Sequence, residues 1–301
     1  MAKIAVELEH ALARRAKDGS PGALTARMLA QGDGWTVEDV VCTSGPRDRP
    51  YEERHVCYRI AVVVAGSFQC QTEFGRALMT PGSLLLGNFG QCFECGHEHG
   101  SGDRCVSFGY SPGLFEGLAQ SAGVGSIDFR YFRLPLLGEL ASLVAHVCTG
   151  LVSPNLSAAR WEELSIQLAG QALQRAAETP RPETALPSSV ARVSRVIRLI
   201  DRDPSAQLSL RDLAREARLS VYHFLRVFER LTGVTPHQYL RRARLRNAAM
   251  RLGTGRERVL DIALDCGFGD VTRFNHAFRA EFGMSPRHYR AHAGHTIPFD
   301  L

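Results

Sequence analysis

No uninterrupted apolar run in the 301 residues is long enough to span a bilayer, and the amino-terminal Met1-Ala2-Lys3-Ile4-Ala5-Val6-Glu7 lacks the basic-then-apolar layout of a signal peptide. A cytoplasmic protein is expected. Lysine is missing from Ser188 to the end of the sequence, so the positive charge there is carried by arginine alone. Paired carboxylates in a strand context and a glycine loop shaped to cradle phosphate are also missing. Their absence argues against an enzyme. Eight cysteines are spread over positions 42 to 266. In a cytoplasmic protein they are expected as thiols, open to metal binding or redox chemistry, and not as a disulfide framework.

The chain is long enough for two domains, each with its own core. Its charge is divided accordingly. From Ser188 onward 20 Arg face 11 acidic residues, a net +9, whereas residues 1–187 carry −4. A basic module joined to a mildly acidic one suits a nucleic-acid binder with a second function.

The last third contains one pattern written twice. Leu213-Ala214, Ala217, Leu219, Phe224, Phe228, Gly233, Pro236 and Tyr239 are answered by Ile262-Ala263, Cys266, Phe268, Phe274, Phe278, Gly283, Pro286 and Tyr289. The offset is 49 residues up to Leu219/Phe268 and 50 from Phe224/Phe274. One residue has been added in the second turn, and helical phase is kept on either side. The unit reads as helix–turn–helix, over about 208–232 and 259–283. Ser209 with Asp212 three residues later, Ser220, and Thr235-Pro236 are helix starts; Gly233 and Gly283 are stops. The phenylalanines face inward. Outward lie Tyr222, Leu225, Arg226 and Arg230 on one helix, and Thr272, Arg273, Asn275, His276 and Arg279 on the other, with Val221 and Val271 at the leading ends. An Arg-rich helix, His237–Leu252, joins the copies.

The run from Ile262 to Arg290, with its Ala, Gly-Phe, Phe, Phe, Gly and Pro spacing, resembles the signature of the AraC/XylS family of bacterial transcription regulators, and the likeness extends from Val190 to Arg290. The resemblance implies two helix–turn–helix units entering successive major-groove segments of double-stranded promoter DNA, roughly one turn (~34 Å) apart. It assigns base reading to Tyr222, Arg226, Thr272, Arg273 and His276, and phosphate contact to Arg230, Arg279 and Arg290. Leu225 departs from the pattern; it suits a thymine methyl or no contact. RNA polymerase is an implied partner, activation an implied outcome, and a homodimer through the amino-terminal half an implied assembly.

That half reads as short β-rich runs (Val56–Val64, Ser67–Glu73, Leu84–Leu86, Cys105–Tyr110) separated by Gly and Pro, which suggests an antiparallel sandwich or barrel. An amphipathic helix precedes it within residues 1–30, and helical periodicity returns at Leu134–Leu151 and Leu156–Ala177. The stripe Trp161, Leu164, Leu168, Ala172 must be buried on its own domain or on a partner. In layout this half resembles the cupin-like barrel that often precedes the family's DNA-binding module. The expected fold is therefore α+β in two domains. An effector-sensing and dimerisation domain covers 1–178, with the barrel at about 36–115 and helices at about 134–178. A Pro-rich linker at 179–189 leads to an all-α DNA-binding domain over 190–292.

Cys92, Cys95, His97, His99 and Cys105 fall within fourteen residues. Cys92-x-x-Cys95 has knuckle spacing, and the histidines and Cys105 complete a possible tetrahedral zinc or other divalent-metal set. His55 and Cys57 are candidate members of an effector pocket on a neighbouring strand. A thiol switch at Cys92 and Cys95, or a plain barrel-edge loop, remain open readings of the cluster. Other readings of the whole chain are a metal-dependent cupin-type enzyme, a DNA-alkylation repair or sensor protein with a reactive Cys, and an architectural DNA-binding protein without effector.

Overall fold

The computed structural model describes residues 2–98, 100, 102–125, 127–135, 138–153, 156–178 and 187–292. Helix α1 (Ala2–Asp18) buries Ile4 and Leu8, as their spacing requires. There follow β1 (Leu24–Gly32), β2 (Trp35–Cys42), β3 (Tyr51–Arg54), β4 (Tyr58–Gly66), β5 (Phe68–Thr72), β6 (Gly75–Met79), β7 (Leu84–Gly87), β8 (Cys92–Gly96), β9 (Asp103–Tyr110), α2 (Pro112–Ser121) and β10 (Arg133–Leu134). They build two antiparallel sheets, ordered β1-β2-β9-β4-β7-β10 and β3-β8-β5-β6.

Strand β4 explains how these sheets pack. Its run Ile60-Ala61-Val62-Val63 is apolar without alternation because both faces are covered. Ile60 and Val62 meet the helices, together with Leu84, Leu86, Val106 and Phe108. Ala61 and Val63 face the second sheet, joining Leu85 and Cys105 to Phe68, Cys70, Met79 and Cys95. Across β2 and β9 a buried ion pair pins the helix side: Arg104 donates to both oxygens of Asp39 at 2.8 Å and to the Ile4 carbonyl at 2.9 Å.

Three boundaries differ from the sequence reading. The helix expected from Leu134 begins only at Ala141, because Leu134 itself, in β10, pairs with Leu84. The sheet begins at Leu24, twelve residues before the expected start at Thr36. Strand β1 is an edge strand, exposed over most of its length, so it carries no buried alternation to read. The linker expected at 179–189 lies largely outside the described residues, at 179–186. Its last three residues, Pro187-Ser188-Ser189, instead open helix α5 (Pro187–Arg202). Proline is tolerated in a first helical turn because its missing N–H has no intrahelical partner there.

After a short 3-10 turn (Gly138–Leu140) come α3 (Ala141–Val152) and α4 (Ala158–Glu178). The α4 stripe Trp161, Leu164, Leu168 and Ala172 is buried against its own sheet, with the Trp161 and Phe108 rings 6.3 Å apart. Helix α3 is apolar all round and buried on nearly every side. Leu143, Val144, Val147 and Leu151 belong to the amino-terminal core, while Ala141 and Ala145 belong to a core of the carboxy-terminal half.

That half continues with α6 (Leu210–Glu216), α7 (Val221–Thr232), α8 (Pro236–Thr254), α9 (Val259–Asp265), α10 (Val271–Phe282) and α11 (Pro286–His292). The expected caps form. Ser209 and Asp212 make a capping box, Ser220 accepts from the His223 N–H, and Thr235 boxes with Gln238. Gly233 and Gly283 end α7 and α10 in the left-handed region at φ 79° and 72°. The α6–α7 turn is Ala217-Arg218-Leu219-Ser220; the α9–α10 turn is one residue longer, Cys266 to Asp270, and Asp270 caps α10. Arg218 and Gly267 hold equivalent positive-φ positions, at 52° and 85°. At Gly267 the backbone is also crowded, since a Cβ there would lie 2.7 Å from the Ser205 carbonyl oxygen. The Arg244 guanidinium closes this junction, donating to the carbonyls of Pro204, Ala206 and Gly267.

Two outcomes follow from this packing. Gly267→Ala combines a left-handed φ with a backbone clash and is expected to cost about 1–3 kcal/mol, read as a lowered denaturation midpoint. An unchanged midpoint would show that the turn relaxes freely. The second outcome concerns His146 on α3, which stacks on Tyr289 at 5.4 Å. Burial, reinforced by Arg160 and opposed by Glu163 and a backbone hydrogen bond at Ser142, pushes its pKa from 6.5 down to about 4. Its stabilising contribution is complete above pH 6.5 and is lost as pH falls through about 4. Over that window the stability gap between wild type and His146→Phe should change by about 3 kcal/mol, measured by urea denaturation at stepped pH. A pH-independent gap would contradict it.

Candidate nucleic-acid interface and sensor cavities

Helical phase separates each second helix of the repeat into two faces. On α7 Phe224, Val227, Phe228 and Leu231 are buried, while Val221, Tyr222, Arg226 and Arg230 are exposed and Leu225 is half-buried. Tyr222 is 71% exposed, and the Arg226 guanidinium sits 5.9 Å from its ring centroid. This contact pre-positions the arginine on an otherwise open surface. On α10 Phe274, Phe278 and Phe282 are buried; Thr272, Arg273, Asn275, His276 and Arg279 are exposed, and Val271 is half-buried. Arg273 makes only a surface ion pair with Asp270, at 3.3 Å, which solvent screens. The exposed face also includes His223, which the sequence reading passed over. Its position, three residues before Arg226, was the available signal.

Much of the arginine excess is spent inside the fold. Besides Arg244, Arg242 pairs with Glu281 at 2.9 Å, and Arg251 pairs with Glu257 and Asp265. Arg290, expected to contact phosphate, donates to the Glu257 carbonyl at 2.6 Å. Arg230 and Arg279 remain on the surface.

In the amino-terminal half the knuckle reading of Cys92 and Cys95 fails for a geometric reason. The segment is strand β8, where residues three apart point to opposite faces. Cys95 faces inward and is paired across the sheet with Cys70, while Cys92 is opposite Arg54 and half-buried. A hydrogen bond with Cys70 and burial chiefly hold the Cys95 thiol well above its ordinary pKa, the reverse of an activated thiol. His99 lies outside the described residues.

What the fold brings together is a different set. Cys42, His97 and Asp103 are all buried, with one potential ligand atom from each within 4.8 Å of the others. Cys42 and Asp103 are direct cross-strand partners at the ends of β2 and β9. His97 Nε2 is 2.6 Å from Asp103 Oδ1, and the Cys105 thiol donates to Asp103 Oδ2 at 3.3 Å. Burial alone would lower the His97 pKa; hydrogen bonds with Asp103 and Cys42 overcome it and raise it to about 9. Burial would raise Cys42, but the hydrogen bond with His97 carries it below its ordinary value. Cys42 was missed because it lies 55 residues from His97, and only the β2–β9 register joins them.

Cys42, Asp103 and Cys105 border a cavity of about 290 Å³ between the sheets, lined also by His55 and the Arg59–Glu38 ion pair (2.7 Å). His55 is one of the lining residues. It stacks on Phe93 at 4.2 Å, and burial, helped by Arg59, lowers its pKa to about 4. Cys57 does not line this cavity; it accepts a hydrogen bond from Arg59 at 3.6 Å.

A larger cavity, about 540 Å³, lies where the halves meet, between α1, the β4 end, α5 and α8. Its walls are mainly apolar (Ile4, Leu8, Val64, Met250) with Glu9, Asp201 and Glu216 also lining it, and Arg195 Nε and Arg246 Nη1 are buried without a hydrogen-bond partner among the described residues. The same seam buries Arg133, which donates to the Thr232 carbonyl at 3.0 Å.

Residues 213–292 match the model of a family described as a helix-turn-helix domain. The chain is 36% identical over 100 residues to the HTH-type transcriptional activator RhaS of Klebsiella pneumoniae, covering 33% of this chain and 36% of RhaS. It is 34% identical over 110 residues to the HTH-type transcriptional activator AarP of Providencia stuartii, covering 36% of this chain and 80% of AarP. Among solved structures, the DNA-binding domain of AdpA in complex with a target DNA matches 33% of this chain and 89% of its own at 32% identity, with a TM-score of 0.32. The chain thus spans about a third of the RhaS length, and the shared part is its double helix–turn–helix. On that extent and identity, this chain belongs to the AraC/XylS family of transcription regulators.

Proposed function

We propose that the protein is a sequence-specific DNA-binding transcription activator whose amino-terminal half senses a chemical signal. The observation that carries this reading is the pair of exposed faces on α7 and α10: two matching frames with different polar side chains, both oriented away from their cores. Side chains such as Arg273, Asn275 and Arg226 form bidentate hydrogen bonds with base edges in a major groove. Because the two faces differ, one chain reads an asymmetric two-part site. Homodimerisation through the amino-terminal half and contact with RNA polymerase complete the proposal.

The seam cavity supports a route for the signal. Its largely apolar walls, with four arginines (Arg195, Arg198, Arg202, Arg246) against three acids (Glu9, Asp201, Glu216) among the lining residues, suit a small organic anion with an apolar body. It touches both halves, so such a ligand has the differential contacts that regulation needs.

Binding to fragments selected from random-sequence DNA tests the first part. Arg273→Ala should weaken binding about 5- to 150-fold, equivalent to about 1–3 kcal/mol, and relax preference at one position. Arg230→Ala should weaken all sequences evenly and lower the salt slope by about 1. Binding indifferent to both sequence and salt would overturn the reading.

A further inference from the structure

We propose that Cys42, His97 and Asp103 form a divalent-metal site of the zinc type, with one coordination position open to the cavity between the sheets. The three contribute one sulfur, one nitrogen and one oxygen, all within 4.8 Å of one another. Ligands at ~2.0–2.3 Å from a shared tetrahedral ion are about 3.3–3.8 Å apart, so the group closes on such an ion with small side-chain adjustment. A mixed donor set with a thiolate selects zinc or cobalt; calcium and magnesium take oxygen ligands.

The fold builds this arrangement. On β9, alternation sends Arg104 to the helix side, where Asp39 locks it, so Asp103 and Cys105 must face inward. The Cys105 thiol holds one carboxylate oxygen and leaves the other toward His97. Two glycines let the backbone close around the group. A Cβ on Gly102, at φ 70°, would lie 2.7 Å from the Cys42 carbonyl oxygen; one on Gly66, at φ 73°, would lie 2.3 Å from the Gly102 carbonyl oxygen. Cys42 and Asp103 line the cavity, so three protein ligands leave the fourth position for water or a donor atom of a small molecule entering there.

The test uses the full chain, stripped with a chelator and titrated with Co²⁺ alone. The expected result is one equivalent bound, with thiolate-to-cobalt charge-transfer absorption and the visible bands of a tetrahedral ion, both abolished by Zn²⁺. Cys42→Ser should remove the charge-transfer band, and His97→Gln should weaken binding roughly 10-fold or more. Cys92→Ser, on the opposite face of β8, should bind as wild type. Zn²⁺ should raise the melting temperature of wild type and leave that of Cys42→Ser unchanged, which separates lost ligation from lost folding. Absence of the band in folded wild type would overturn the site, leaving a hydrogen-bonded triad. So would a band lost in Cys92→Ser and kept in Cys42→Ser. No readout involves DNA, so failure here leaves the regulatory reading standing.

Discussion

Helix α3 has no solvent face of its own, and the rest of the molecule is arranged around that fact. A helix buried on nearly every side must be covered on nearly every side, and no single layer can do it. One side is closed by the sheets and α4, the other by α8 and the second helix–turn–helix unit. Ala141 and Ala145 are small enough to let the Phe274–Phe278 core approach closely. Leu78 plays the matching part for the first unit, joining the cluster around Phe224 and Phe228. Each helix–turn–helix core therefore includes side chains from the amino-terminal half, and the relative position of the halves is set by packing.

The same economy governs charge. A module with 20 arginines invites the view that all of them meet phosphate, and the structure divides them. Arg244 ties the second turn to the segment before α6 through three carbonyls, and Arg251 bridges two acids of the α8–α9 region. Guanidinium suits both tasks because its planar fork of donors is charged at any working pH. Lysine, a point charge on a flexible stem, could not satisfy three carbonyls at once with comparable geometry. At Arg244, therefore, arginine has a structural reason to be present.

The helical half was legible because its signals are local. Phenylalanines four residues apart, a Ser or Thr before each helix and a Gly after it give phase and ends within a dozen residues, and α10 falls on its expected bounds, Val271–Phe282. The sheets were harder for two reasons. Strand β1 is exposed and patternless, so nothing in it announces burial. Turn spacing does not apply to the Cys92–Cys105 segment, which is largely strand: period two sends Cys92 and Cys95 apart, and His97 meets Cys42, 55 residues away, as well as the nearby Asp103. Clusters made by strand register leave no local trace in a sequence, whereas clusters made by one helix do.

This difference bears on how a signal in one half reaches the other. The buried triad and its cavity lie between the sheets, on the side of β9 opposite the helices. The opposite side of that strand carries Val106 and Phe108, and Phe108 meets Trp161 of α4. From there α3 leads to the second helix–turn–helix core, so a strand, two helices and one aromatic contact separate the cavity from the exposed face of α10. Close-packed interiors shift as units, because displacing one side chain creates voids or overlaps beside it. A ligand bound at the proposed seam site would touch α5 and α8 directly. Any coupling between the two cavities is bounded by the free energy with which each ligand distinguishes the docked halves from separated ones.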